Sequence, residues 1–360
     1  MPVKHLNAVD PKFRGHLASS KWTLCIGAGV SRGIVPTWEE LTRRLVNETF
    51  GLAHSELEFR KLVADSAWSL DSWIQACANH FRLEGRTESD FFEHIEQHLY
   101  SDLMMQAQNV GLRDVLVRVL DRPRNAAKDE VFKVCTFFET HYGATSLLAV
   151  TRALLRAAEQ GRLPEAVITF NADTLLHTLL ELFQSREHYR GPPPHSHPKF
   201  LFKTVLRPLD SANEKVPIYH CHGAIKPKSN KAVLGPKDSR DRLVFLESEY
   251  IRVATISSSW PETLFIFHAQ TTALLMLGFS MSDPNMRRWL ALTNDSALHD
   301  LAAMTAAREI TPRHIWLTTH ISDAKLTLLR DEALIHLGVR PGWMPDWGQA
   351  ESAIANLLAL

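Results

Sequence analysis

The segment Trp22-Thr23-Leu24-Cys25-Ile26-Gly27-Ala28-Gly29-Val30-Ser31 limits what this chain can fold into more than any other. An apolar run with strand character ends abruptly in Gly-x-Gly-x-Ser, and Pro36, Trp38 and Leu41 then open a helical pattern. Glycines at such a junction let the backbone approach a phosphate closely, and backbone N–H groups with the dipole of a following helix supply positive potential for it. The same turn also closes ordinary strand–helix units, so its meaning depends on what recurs at the ends of the other strands.

Six apolar runs carry the strand signal: Thr23–Ile26, Ala166–Phe170, Phe200–Thr204, Pro217–Cys221, Ala273–Phe279 and His314–Thr318. Most are short, continuous and bounded by polar or Gly/Pro residues, the form of strands buried on both faces of a parallel sheet. Between the first two lies a region with almost no strand signal, residues 38–160. It reads as amphipathic helices over Trp38–Phe50, Glu56–Phe81, Glu88–Tyr100, Leu112–Leu120 and Thr145–Gln160. Trp68, Trp73, Phe91 and Phe92 within it are expected in the core. The expected architecture is therefore α/β: a Rossmann-like parallel sheet from residues 1–37 and 161–360, interrupted by an all-helical module at 38–160. Gly191-Pro192-Pro193-Pro194 and Lys226–Lys231 read as exposed loops, and Gln349–Leu360 as a closing helix.

With 360 residues the chain is long enough for a large core. Its 40 basic residues balance its 40 acidic ones, which argues against a bulk electrostatic grip on nucleic acid. Cys25, Cys77, Cys135 and Cys221 form no Cys-x-x-Cys pair, as in a reduced protein with neither disulfide framework nor zinc ribbon. The stretch Met1–Ser20 lacks the apolar core of a signal peptide, and no run approaches the length of a membrane span. A soluble, cytoplasmic protein with no direct nucleic-acid or membrane contact is expected.

Three further strand ends carry polar side chains. Val167-Ile168-Thr169-Phe170-Asn171-Ala172-Asp173 delivers an Asn and an Asp to the C-terminal edge of the sheet, where open α/β sheets bind ligands. Capping of the next helix accounts for one of these two polar residues, not both. In Ile218-Tyr219-His220-Cys221-His222-Gly223, strand alternation places both histidines on one face. They are open to three readings: a metal pair lacking a third ligand at a supporting spacing, core histidines satisfied by hydrogen bonds, or a general base at the mouth of the sheet. Leu274-Leu275-Met276-Leu277-Gly278-Phe279-Ser280-Met281-Ser282-Asp283 again ends a buried strand in small, hydroxyl and carboxylate residues. There Asp283 is also a good helix cap ahead of Pro284.

Four strands ending in Gly-Ala-Gly-x-Ser, Thr-x-Asn-x-Asp, His-Gly and Gly-x-Ser-x-x-Asp form a pattern that resembles the sirtuin fold. It resembles more closely the sirtuin-like NAD-consuming proteins of bacterial antiviral defence. The flanking Pro36-x-Trp38, Leu243-Val244-Phe245 leading to Glu249-Tyr250, and Gly338-Val339-Arg340-Pro341 fit as well, so the resemblance spans nearly the whole chain. It implies that Gly27, Ala28, Gly29 and Ser31 hold the NAD pyrophosphate. By the same resemblance Asn171 orients the nicotinamide ribose and an attacking water, and Asp173 holds the carboxamide side. His222 takes the catalytic position with His220 as its neighbour, while Gly278, Ser280 and Asp283 line the adenosine end. Two departures weaken deacylation: the four-cysteine zinc module of deacylating sirtuins is missing, and Pro36-Thr37-Trp38 lacks their Asp-Phe-Arg arginine.

The expected function is that of an NAD glycohydrolase needing no metal, an effector that depletes NAD in antiviral defence. The alternatives are an NAD-dependent protein deacylase and a non-catalytic nucleotide-binding subunit. A homo-oligomer is expected, with a HerA-type ATPase or an Argonaute as possible partner by family analogy alone.

Overall fold

Residue-by-residue register in one sheet organises the molecule. In the computed structural model, which describes residues 6–191, 198–208, 210–227, 243–256, 259–304 and 312–360, eight strands form a single all-parallel sheet. They are β1 (Leu6–Asn7), β2 (Trp22–Ile26), β3 (Ala166–Thr169), β4 (Phe202–Val205), β5 (Val216–His220), β6 (Ala273–Leu277), β7 (His314–Thr319) and β8 (Val339–Met344). The spatial order is β1-β8-β7-β6-β2-β3-β5-β4. From β2 the chain runs outward to β3, and β6 begins the other half on the opposite side. The order therefore reverses between β2 and β6, the switch point at which ligands bind in doubly wound sheets.

Alternate residues of the central strands feed two separate cores. Trp22, Leu24, Ile26, Ala273, Leu275 and Leu277 face one cluster, while Cys25, Leu274 and Met276 face the other. This is why these strands read as continuous apolar runs. On the first face lie α1 (Trp38–Phe50), α2 (Glu56–Ser66), α3 (Leu70–Leu83), α4 (Glu88–Asn109), α5 (Arg113–Asp121), α6 (Lys128–Tyr142), α7 (Ser146–Glu159), α8 (Leu175–Arg190) and the closing α13 (Ala350–Leu358). On the second, α10 (Trp260–Thr271) and α11 (Pro284–Met304) contribute Phe265, Met286 and Trp289. The connecting helices are α9 (Glu247–Thr255) and α12 (Ala324–Glu332).

All six expected strands are present within a residue or two, and two more accompany them. β8 carries Pro341 and Gly342, both signals against a strand interior. It is held because Gly342 lets Ile315 and Leu317 of β7 pack where a side chain would stand 2.9–3.0 Å from them. The helix expected over residues 56–81 is two helices, broken where Ala67 adopts φ 55° and Ser69 caps the next one. α4 runs on to Asn109, and α6, rich in aromatic and β-branched residues, was not anticipated. α7 packs against α8 and α13 and leads directly into β3, and the first cluster runs unbroken from the strands through Phe59, Ile95 and Phe138. Of the two expected loops, Pro192–Pro194 and the part of Lys226–Lys231 after Pro227 lie outside the described residues. Among the described residues no helix is long and apolar enough to cross a membrane.

Candidate active site

The ladder partners Leu277, Ile26, Thr169 and His220 form one row across β6, β2, β3 and β5. Gly278, Gly27 and Phe170, immediately beyond that row on β6, β2 and β3, and His222, two residues beyond it after β5, line a cavity of about 420 Å³. Of the residues singled out in the sequence, Gly27, Ala28, Asn171, Asp173, His222, Gly278, Ser280 and Asp283 line it. Gly29 and Ser31 do not: Gly29 is exposed on the loop, and Ser31 is buried behind the wall.

The glycine loop differs physically from a phosphate cradle at a helix N-terminus. Ala28–Ser31 is a single 3-10 turn, and α1 begins only at Trp38, where Thr37 caps it. The N–H groups of Gly27, Gly29 and Val30 donate to Leu277 O, Gly278 O and Gly27 O. The glycines are needed because the loops after β2 and β6 touch: a Cβ on Gly27 would stand 2.6 Å, and one on Gly29 2.9 Å, from Gly278 O. Gly278 itself sits at φ 73°, with the position of a Cβ 2.5 Å from Val30 N.

Ser31 is fully buried and links the two polar residues after β3. Asn171 Nδ2 donates to Ser31 Oγ at 3.2 Å, and the Ser31 hydroxyl, near the Asp173 carboxylate, favours its charged form. Asp173 accepts from Leu175 N at 3.0 Å, capping α8, and burial raises its pKa against these hydrogen bonds. Asn171 Oδ1 is buried without a hydrogen-bond partner. A buried acceptor left open costs about 1–3 kcal/mol, so it is a position prepared for a donor.

The two histidines part company. β5 ends at His220, whose Nδ1 lies 3.4 Å from Asn171 O inside the protein. His222 sits two residues further on, past the strand end, and lines the cavity against Phe170, ring centroids 5.0 Å apart. Desolvation pushes the His222 imidazole down to about 4, with Asp283 opposing part of that shift. It is therefore neutral at physiological pH, the form that accepts a proton.

The wall residues Asp71 and Leu99 were not foreseen, while Trp38 and Tyr250, named in the sequence as motif flanks, also reach the wall. Asp71 of α3, Trp38 and Leu41 of α1 and Leu99 of α4 reach the cavity from the helical region. Tyr250 donates to Asp283 Oδ1 at 2.7 Å, while Asp283 also accepts from Asn285 N and Met286 N as the cap of α11. Desolvation, then the nearby Asp283 and Glu247, raise Asp71 to about 6. No residue spacing signals Asp71, because helix packing alone brings it to the sheet edge. Among the described lining residues there is no Lys or Arg.

Cys25, Cys77, Cys135 and Cys221 are free, buried and on separate elements, so they do not fit a tetracysteine zinc set. Among the described residues, donor atoms at metal-ligand spacing occur elsewhere, at Glu48, His94 and His98.

A parallel, doubly wound sheet with polar side chains gathered at its switch point is a Rossmann-like α/β architecture, consistent with a sirtuin-type fold. The family described as SIR2-like domain matches residues 165–336, which begin just before β3 and contain Asn171, Asp173, His222, Gly278, Ser280 and Asp283. This similarity supports a sirtuin-like family and an NAD-related function for the sheet half of the chain. No curated protein matches the chain.

Proposed function

We propose that the protein is an NAD glycohydrolase, cleaving the bond between nicotinamide and ribose to give nicotinamide and ADP-ribose. The observation that carries this reading is that Asn171, whose buried Oδ1 has no hydrogen-bond partner, and the neutral imidazole of His222 line one cavity. As the C1′–N bond of NAD lengthens, the pair of electrons leaves with nicotinamide, whose positive charge is thereby cancelled, and the ribose gains oxocarbenium character. Asn171 Oδ1 accepts a hydrogen bond from the water or ribose hydroxyl at the reacting face. The water oxygen bonds to C1′, and its proton passes to His222 and on to solvent. General-base assistance of this kind is worth about 10²–10⁴-fold.

The acidic lining suits the cationic nicotinamide end of the substrate. Pyrophosphate binding would rest on the Gly27–Ala28 edge of the loop and its exposed neighbour Gly29, with the buried Ser31 supporting it from behind. The adenosine end is assigned to Gly278, Ser280 and Asp283. Purified protein incubated with NAD over a range of protein concentrations, with products separated by chromatography, tests the reading: equimolar nicotinamide and ADP-ribose support it, and NAD left intact even at concentrations where light scattering shows assembled copies overturns it.

Free NAD hydrolysis would be toxic to a cell. The reading therefore extends to an effector restrained until it assembles, with the helical region 38–160 near contacts between copies. Light scattering beside the activity assay checks this, because a fully active monomer rejects the restraint and leaves the chemistry standing.

A further inference from the structure

A second cluster of chemistry-bearing side chains lies in the helical region, outside the lining of the cavity. His94 and His98 stand four residues apart on α4 and so share one face. Opposite them on the neighbouring α1 is Glu48. His98 Nε2 lies 2.9 Å from Glu48 Oε2, and His94 Nδ1 lies 3.5 Å from Glu48 Oε1. One nitrogen from each imidazole and a carboxylate oxygen all fall within 4.8 Å of one another.

The two helices are locked in register at this point. One turn away, the Arg44 guanidinium of α1 grips Asp102 of α4 through two hydrogen bonds of 2.9 Å. The imidazole rings of His94 and His98 meet edge to face at 4.6 Å, and Phe81 backs His94 at 5.2 Å. His94 is buried, and its Nε2 has no hydrogen-bond partner. Glu48 is instead 60% exposed, which leaves a solvent path into the cluster and room for a water ligand.

We propose that Glu48, His94 and His98 bind a divalent transition-metal ion, zinc by the donor set, which clamps α1 to α4. Two imidazoles and a carboxylate at bonds of about 2.0–2.2 Å, with water in fourth place, are an established zinc environment. Hard cations such as calcium and magnesium prefer all-oxygen shells and are poorly matched to two nitrogens. Tetrahedral zinc draws its ligand atoms closer together than 4.8 Å, a contraction that rotation of the exposed Glu48 carboxylate and small rotations of the two imidazole rings would supply. The clamp reaches the candidate active site through its neighbours. Trp38 and Leu41 of α1 line that cavity, and so does Leu99, the residue directly after His98. The ion belongs to none of the bond-breaking steps above, and its presence does not depend on them.

Tag-free full-length protein, stripped with a chelator, is titrated with zinc alone by calorimetry and with cobalt by absorption spectroscopy. The expected result is one equivalent per chain, cobalt bands of a four-coordinate site, and a higher melting temperature with zinc. Glu48→Gln changes an exposed side chain and should keep the fold, and it should weaken zinc binding at least about tenfold. His98→Gln should abolish both the stoichiometric binding and the zinc-induced rise in melting temperature. The proposal is overturned if the parent protein takes up no equivalent, if Glu48→Gln binds as tightly as the parent, or if binding leaves the melting temperature unchanged.

Discussion

His222 and His220 differ by two residues in sequence and by an entire environment in space. One lines the cavity, the other is sealed beneath Asn171. His222→Ala should fold normally and release nicotinamide at least about a hundredfold more slowly, while His220→Ala retains much more activity. If His220 proves the more sensitive, the base has been assigned to the wrong ring. Because the neutral imidazole is the active form and its pKa lies at about 4, activity should hold as pH falls through 6.5 and fail only near 4. A pH profile of initial rates checks the position of that limb. Asn171→Ala should depress turnover more than NAD affinity, since in the proposed reaction its unpartnered Oδ1 serves the reacting face. Calorimetric titration beside a rate assay separates the two, and lost affinity with unchanged turnover at saturation would make it a simple binding contact.

Between elements, the cavity depends on two loops meeting and on a helix from outside the sheet. Gly278→Ala forces a Cβ to 2.5 Å from Val30 N at a positive φ, so it should cost at least about 1–3 kcal/mol and open the junction of β2 and β6. Urea unfolding of the variant measures this, and a cost within error of zero would show that the loops can part freely. Asp71 brings α3 to the same wall. Its folded pKa of about 6 exceeds the ordinary 3.8, so the folded state holds the proton more tightly. Stability from this group is complete below about pH 4 and lost as pH rises through 6. Asp71→Asn should therefore raise the melting temperature relative to the parent above pH 6 and change it little near pH 4. Scanning calorimetry at both pH values tests the sign.

For the molecule as a whole, buried neutral histidines set the acid limit. His220 and His268 are pushed down to about 4 and His314 to about 3, in each case chiefly by burial. His314 Nδ1 accepts a hydrogen bond from Leu274 N at 3.1 Å, inside the join of β6 and β7, and protonating that nitrogen would break it. The unfolded chain takes up protons near 6.5, where the folded one does not. Stability should be complete above that pH and fall steadily toward 4. Urea midpoints at pH 7.5 and 5 provide the check, and His314→Gln should flatten the slope even if it lowers stability at neutral pH. A midpoint independent of pH across this window would mean that these rings are solvated in solution.

The short apolar runs ending in glycine, asparagine, histidine and serine could be read directly, because a strand buried on both faces must be apolar throughout. Its C-terminal end is then the place where polar side chains can gather. Asn171, His222 and Asp283 were legible for that reason, as were the parallel sheet and the long helical stretch within it. The sequence also suggested pyrophosphate contacts at Gly27–Ser31; only the fold shows that the glycines are required by loop contact and that Ser31 makes a buried bond to Asn171. Asp71 and the Tyr250–Asp283 bond carry no local periodicity or spacing, and although His94 and His98 share the i, i+4 spacing of one helix face, nothing local brings Glu48 to them. They exist only because helices far apart in the chain pack side by side, and packing, unlike strand alternation, is decided by the whole core at once.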